Sequence, residues 1–145
     1  MSVKIACVTF DCADPILVGG FWSAAIGRPL DEGADSGFAS IGFAGRRHRA
    51  GWAEVGEAEE PTWIFARVPE PKVGKNRMHL DVVTADVEAE IARLVGLGAR
   101  RVADHDEYGY TWTLMTDPEG NEFDIAHQLT QRLIEGSGTA LRRCS

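Results

Sequence analysis

Four histidines and three cysteines are the side chains of this 145-residue chain best suited to take up a proton, attack an electrophile or hold a metal ion. His79 has the most telling neighbours. In Arg77-Met78-His79-Leu80-Asp81 polar and apolar residues alternate, so an extended strand puts Arg77, His79 and Asp81 on one face. A histidine beside a carboxylate suits general-base work, because its charge changes near neutral pH. Arg77 also offers Asp81 a purely structural partner on that face. His48 and His105 fall in or near polar turns and read as solvated. Cys7, Cys12 and Cys144 are odd in number and form neither a disulfide framework nor a Cys-x-x-Cys knuckle. The sequence has no Gly-rich phosphate loop, no Gly-x-Ser-x-Gly elbow and no His-Glu-x-x-His stretch.

The elements that must position these residues occur twice. Ala6-Cys7-Val8-Thr9-Phe10-Asp11-Cys12-Ala13-Asp14 aligns with Met78-His79-Leu80-Asp81-Val82-Val83-Thr84-Ala85-Asp86 at an offset of 72 residues. Each copy reads as a strand, an Asp and a helix. The first helix spans residues 15–26, with Asp14 as N-cap, Pro15 at the first helical position and Gly27 as the stop. Gly19 and Gly20 inside it are each unfavourable by about 1 kcal/mol relative to Ala, which predicts close packing of that helix. The second helix spans 87–97, with an apolar stripe of Val87, Ile91, Leu94 and Val95, and ends at Gly98.

Three strand-like runs follow each helix: 37–44, 49–55 and 62–68, then 100–104, 110–116 and 122–126. Before the last run, Asp117-Pro118-Glu119-Gly120-Asn121 is a tight-turn signal, since Pro fixes one φ and Gly accepts a positive one. The chain therefore reads βαβββ twice, an α+β class. Its modules span residues 3–68 and 76–128, joined by a Pro- and Gly-rich linker at 69–75, with a tail at 129–145.

Fifteen Lys and Arg against 22 Asp and Glu give a net charge of −7. The short cluster Arg46-Arg47-His48-Arg49 reads as a solvated turn, so nucleic acid is not an expected partner. No apolar run reaches the ~18 residues a membrane span needs. With no leader-like segment and no disulfide pattern, a cytoplasmic location is expected.

Together with Asp14-Pro15 ahead of Phe21-Trp22 and Gly27, the stretches Lys75-Asn76-Arg77-Met78-His79-Leu80-Asp81, Leu97-Gly98-Ala99 and Asp117-Pro118-Glu119-Gly120-Asn121-Glu122-Phe123 resemble a glyoxalase-like domain. Such domains belong to the vicinal oxygen chelate superfamily of glyoxalases, bleomycin-resistance proteins and extradiol dioxygenases. The resemblance covers about residues 3–128. It implies two modules curled into an incomplete, cup-shaped barrel whose concave face holds a ligand, with metal ligands of metal-dependent members on the first and last strands of each module.

On that architecture the helix-facing set of each strand is apolar, so Arg77, His79 and Asp81 face the cup, as do Ile5, Cys7, Thr9 and Asp11. Cys7 is the repeat partner of His79, and Asp124 matches the place where metal-dependent relatives carry a Glu. Two His and one carboxylate suit a ferrous ion, and three ligands with an open position suit catalytic zinc. Here Cys7 replaces a His, Asp124 is one methylene short, and 62–68 offers no His, Cys or carboxylate. The expectation is therefore no bound catalytic metal, with His79, Asp124 and Cys7 the candidate ligands if a divalent ion binds. His79 and Asp124 are the expected catalytic pair. Cys7, Asp81, Trp52, Trp63 and Trp112 are the expected substrate-binding residues. His127, at the end of the last strand, alternates away from Asp124.

The resemblance implies a small organic molecule in the cup, with isomerisation, lyase or dioxygenase-type chemistry. The alternative is non-catalytic sequestration of a toxic compound or antibiotic. A third reading is a regulatory or structural module with an unused cup. By the habits of the relatives, a homodimer is expected.

Overall fold

The computed structural model of the chain describes residues 5–43, 60–107 and 109–128. In chain order the elements are β1 (Cys7–Cys12), α1 (Pro15–Ile26), β2 (Phe38–Ile41), β3 (Thr62–Arg67), β4 (Leu80–Thr84), α2 (Val87–Gly96), β5 (Arg100–Glu107), β6 (Tyr110–Thr116) and β7 (Glu122–His127). Both helices begin where the sequence places them. Asp14 Oδ1 accepts the backbone N–H of Ile16 at 3.0 Å and of Leu17 at 3.1 Å, satisfying donors that the first helical turn leaves unpaired. Asp86 does the same for Ala89 at 3.1 Å. Gly27 closes α1 at φ 69°, a left-handed conformation that favours glycine.

The strands form two sheets, ordered β1-β3-β2 and β4-β7-β6-β5, and they do not close into a barrel. The first strand of each module runs parallel to its last, β1 with β3 and β4 with β7; the remaining pairs are antiparallel. This is an α+β arrangement in which module 2 is a βαβββ unit and the described residues of module 1 give βαββ.

The 72-residue offset holds further along the chain than the strand count suggested. It places β2 on the start of β6, so β2 is the counterpart of the second strand after the helix. The counterpart of β5 is the irregular segment before β2, held by backbone bonds from Asp31 N to Ser40 O and from Asp35 N to Phe38 O, each 2.8 Å. By β3 and β7 the offset has fallen to 60, which puts 12 extra residues into the β2–β3 connection. The run 49–55 with Trp52, the cluster Arg46-Arg47-His48-Arg49, and Cys144 lie outside the described residues. No helix among those described is long and apolar enough to cross a membrane.

One core serves both modules, drawing Phe21, Trp22, Phe65, Ile91, Leu94, Met115, Phe123 and Ile125 from both helices and both sheets. Trp22 is its junction. The ring lies 5.5 Å from Phe10 and 5.1 Å from Phe123, and Nε1 donates to Asp117 at 3.2 Å. The Asp117 to Asn121 turn locks onto module 1 a second way, because the Glu119 carboxylate accepts the backbone N–H of Ala13 and Asp14 at 2.8 and 2.7 Å.

The paired glycines of α1 have different surroundings. A Cβ on Gly19 would lie 3.0 Å from Phe65 and 3.2 Å from Leu30, whereas one on Gly20 would meet nothing within 4 Å. Gly20→Ala should stabilise the protein by about 0.5–1 kcal/mol through helix propensity. Gly19→Ala makes the same propensity gain and loses about 1–3 kcal/mol to overpacking, so its net effect should be destabilising. Thermal unfolding of the two variants tests this, and a Gly19→Ala protein as stable as Gly20→Ala would refute the packing account.

Candidate functional site

Strand register assembles the site. In sheet 2, Phe123, Ile125, Thr113 and Met115 are buried against the core, so alternation turns their neighbours to the open face. Asp81 lies opposite Asp124, Leu114 opposite Asp124 from the other side, Ala126 opposite Trp112, and Trp112 opposite His105. His79, just before β4, falls on the same face as Asp81.

The result is a tight polar cluster. His79 Nε2 stands 3.3 Å from Asp124 Oδ2 and 3.4 Å from Asp81 Oδ1, and each of the three side chains offers a donor atom within 4.8 Å of the other two. Asp81 is 73% exposed and Asp124 only 18%. The Asp124 Oδ1 atom is buried with no hydrogen-bond partner among the described residues. Burial accordingly pushes the Asp124 carboxyl above its ordinary pKa, and His79, Lys75 and His105 oppose that shift while Asp81 reinforces it. A carboxylate so placed is a stronger base than one in water.

Beside this cluster lies a hollow of about 430 Å³, lined by His79, Asp81, Tyr110, Trp112, Asp124 and Ala126 among others. The His105 ring stacks on one face of Trp112 at 5.0 Å and 12°. A larger cleft, about 950 Å³, separates β1 from β4 and includes His79, Glu119 and Glu122 on its walls. Glu119, Glu122 and Cys12 on its walls are committed to structure, while Asp11 and Arg77 also line it. Glu119 is bound to the start of α1, Glu122 accepts from Asn76 N at 3.1 Å and pairs with Lys72 at 3.2 Å, and the buried Cys12 thiol is pushed up to about 12. The smaller hollow is the one that holds the His79, Asp81 and Asp124 donors together.

His79, Asp124, Asp81 and Trp112 are brought together as the sequence places them. Two other expected binding residues are elsewhere. Trp63 packs on Phe10 at 5.6 Å and on Trp22 at 5.3 Å, against α1 and away from the open face, because it lies opposite Val8 and shares its covered side. Cys7 is half-buried at the start of β1, opposite Thr62, and stands outside the donor group. Asp81 is the third donor instead. His105, read as solvated in a turn, sits on β5, which runs three residues beyond the predicted end. Sequence reasoning also passed over Ala126 and Tyr110, which the alternation around Asp124 and Trp112 places on the same face.

The three donors fit a divalent ion. They face one way, they include the unpartnered Asp124 carboxylate, and their 3.3 and 3.4 Å separations match the ~3.3 Å edge of a tetrahedral site with bonds of about 2.0–2.1 Å.

The family model described as a glyoxalase-like domain matches residues 7–126. The chain belongs to that family. A search of curated proteins finds no match. Among solved structures, this glyoxalase-like protein is similar to a glyoxalase/bleomycin resistance protein/dioxygenase family enzyme from Burkholderia phytofirmans PsJN, with a TM-score of 0.63, 17% identity, and coverage of 88% of this chain and 100% of that one. It is also similar to the bleomycin-binding protein of Streptomyces verticillus complexed with copper(II)-bleomycin, at TM-score 0.54 and 14% identity over 89% of this chain and 99% of that one. A third similar structure is lactoylglutathione lyase from Agrobacterium tumefaciens, at TM-score 0.52 and 13% identity over 87% of this chain and 94% of that one. At these identities the likeness shows the fold of the glyoxalase-like protein and not its substrate.

Proposed function

We propose that the protein is an enzyme that binds a small organic molecule in the module 2 hollow and moves a proton on it, with His79 and Asp124 as the working pair. The observation that carries this reading is the buried, unpartnered Asp124 oxygen on a carboxylate 3.3 Å from His79, beside an aromatic-walled hollow. With Nε2–H held against the Asp124 and Asp81 carboxylates, Nδ1 carries the lone pair, and Asp124 orients the ring and stabilises the imidazolium that forms when Nδ1 takes a proton from an acidic C–H. Asp81, on the exposed side, adds to that stabilisation. An ion held by His79, Asp81 and Asp124 would supply Lewis-acid polarisation of a substrate oxygen. The neutral ring has one lone pair, given at Nε2 to an ion or kept at Nδ1 for the base, so the metal content of the protein distinguishes the two ways of working.

The test is proton exchange. A panel of carbonyl compounds with acidic α-C–H groups is incubated with the protein in D2O and followed by NMR. Wild-type protein should incorporate deuterium into at least one of them, and His79→Gln should lose about 10²–10⁴-fold in rate. Elemental analysis of wild type and of His79→Ala, purified without chelator, runs alongside. Exchange that is unchanged in His79→Gln would refute the proposal.

The second reading is sequestration, supported by the open aromatic hollow, the net charge of −7 and the fold shared with a bleomycin-binding protein. Binding of a cationic antibiotic with no exchange chemistry on any compound would favour it.

A further inference from the structure

The open face of sheet 2 also specifies the shape and charge of what it takes. Across the four strands, one row of side chains runs His105, Trp112, Ala126, Val83. His105 covers one face of Trp112, and the other face looks over Ala126, the smallest side chain in the row. Val83 lies beyond Ala126 and is not among the residues lining the hollow, so the flat wall beside Ala126 is the open face of Trp112. A flat ring stacks on that face at about 3.5–4.0 Å over its whole area, whereas a puckered ring touches it at only a few atoms. The neighbouring row carries Asp124 and Asp81, which favour a positively charged or N–H-bearing group and repel a carboxylate. Trp112 adds attraction for a cation through its ring face.

We propose that the ligand is a planar aromatic molecule bearing a cationic or neutral N–H donor, with its ring over Ala126 against Trp112 and its N–H directed at Asp124. This rests on the reading of the hollow as the ligand site. Ala126 sets the specificity, because any larger side chain there fills the space the ring occupies.

Three probes separate shape from charge in calorimetric titration of the whole chain: benzamidine, benzoate and cyclohexanecarboxamidine. Benzamidine should bind, with the planar anion and the non-planar cation each at least tenfold weaker. Ala126→Leu and Trp112→Ala should each weaken benzamidine at least tenfold; thermal unfolding confirms that each variant is folded. Benzoate binding as tightly as benzamidine, or Ala126→Leu retaining full affinity, overturns the proposal. His79-dependent proton exchange without benzamidine binding overturns the ligand class alone. Absence of both overturns the reading of the site as well.

Discussion

Trp22→Ala should lower the unfolding free energy by about 3–5 kcal/mol, the largest stability loss expected from one substitution in this chain. Trp22 is 1% exposed, and its ring meets Phe10, Phe21, Trp63 and Phe123, so both modules lose packing when it is removed. Burial of its apolar surface sets the first part of the cost, and the cavity left between two sheets that cannot collapse independently sets the second. A third part is polar. Asp117 is also 1% exposed and accepts the indole N–H, together with the backbone N–H of Glu119 and Asn121 and the Asn121 amide. Trp22→Phe isolates that part: it keeps most of the ring volume and removes one of four hydrogen bonds, at a cost of about 1 kcal/mol. For a chain of this size each kcal/mol shifts the melting temperature by roughly 2–4 °C, so Trp22→Ala should melt some 6–20 °C below wild type. Denaturant titration of both variants checks the difference. Equal losses for Ala and Phe would mean that the hydrogen bond, and not the ring, joins the modules.

Local signals in the sequence were legible because local physics decides them. Asp14 and Asp86 cap helices through oxygens two or three residues from their targets, and alternation alone puts His79 and Asp81 on one face. Register between strands is a different matter. Whether Trp63 faces α1 or the open side depends on its lying opposite Val8, a pairing across more than fifty residues that no local pattern states. The repeat pointed to Cys7 as the partner of His79, but equivalence in a repeat is not proximity. The third donor is Asp81, on the same strand as His79's neighbours. His105 was misplaced by three residues of strand length, since Asp104-His105-Asp106-Glu107 carries the polarity of a turn while pairing as β5 with β6.

Asp124→Asn should remove the proposed chemistry and raise stability at neutral pH. The loss of proton exchange should be about 10²–10⁴-fold, because Asn neither orients His79 as a base nor balances its charge. The stability gain follows from the environment of the carboxyl. Its pKa is raised above the ordinary 3.8, burial first among the causes, so the folded chain holds the protonated form better than the unfolded chain does. That contribution is fully present below 3.8 and is lost as pH rises through the folded value, beyond which wild type carries a poorly solvated charge. Asn carries no charge at any pH. The variant should therefore exceed wild type by on the order of 1 kcal/mol at pH 7–8, with the gain shrinking to nothing towards pH 3. Thermal unfolding from pH 3 to 8 measures both limits. A variant less stable than wild type at pH 7, in protein shown by elemental analysis to carry metal, would mean instead that a bound cation satisfies the buried oxygen. The wild-type advantage would then grow with the concentration of that ion, as binding to the folded state alone requires.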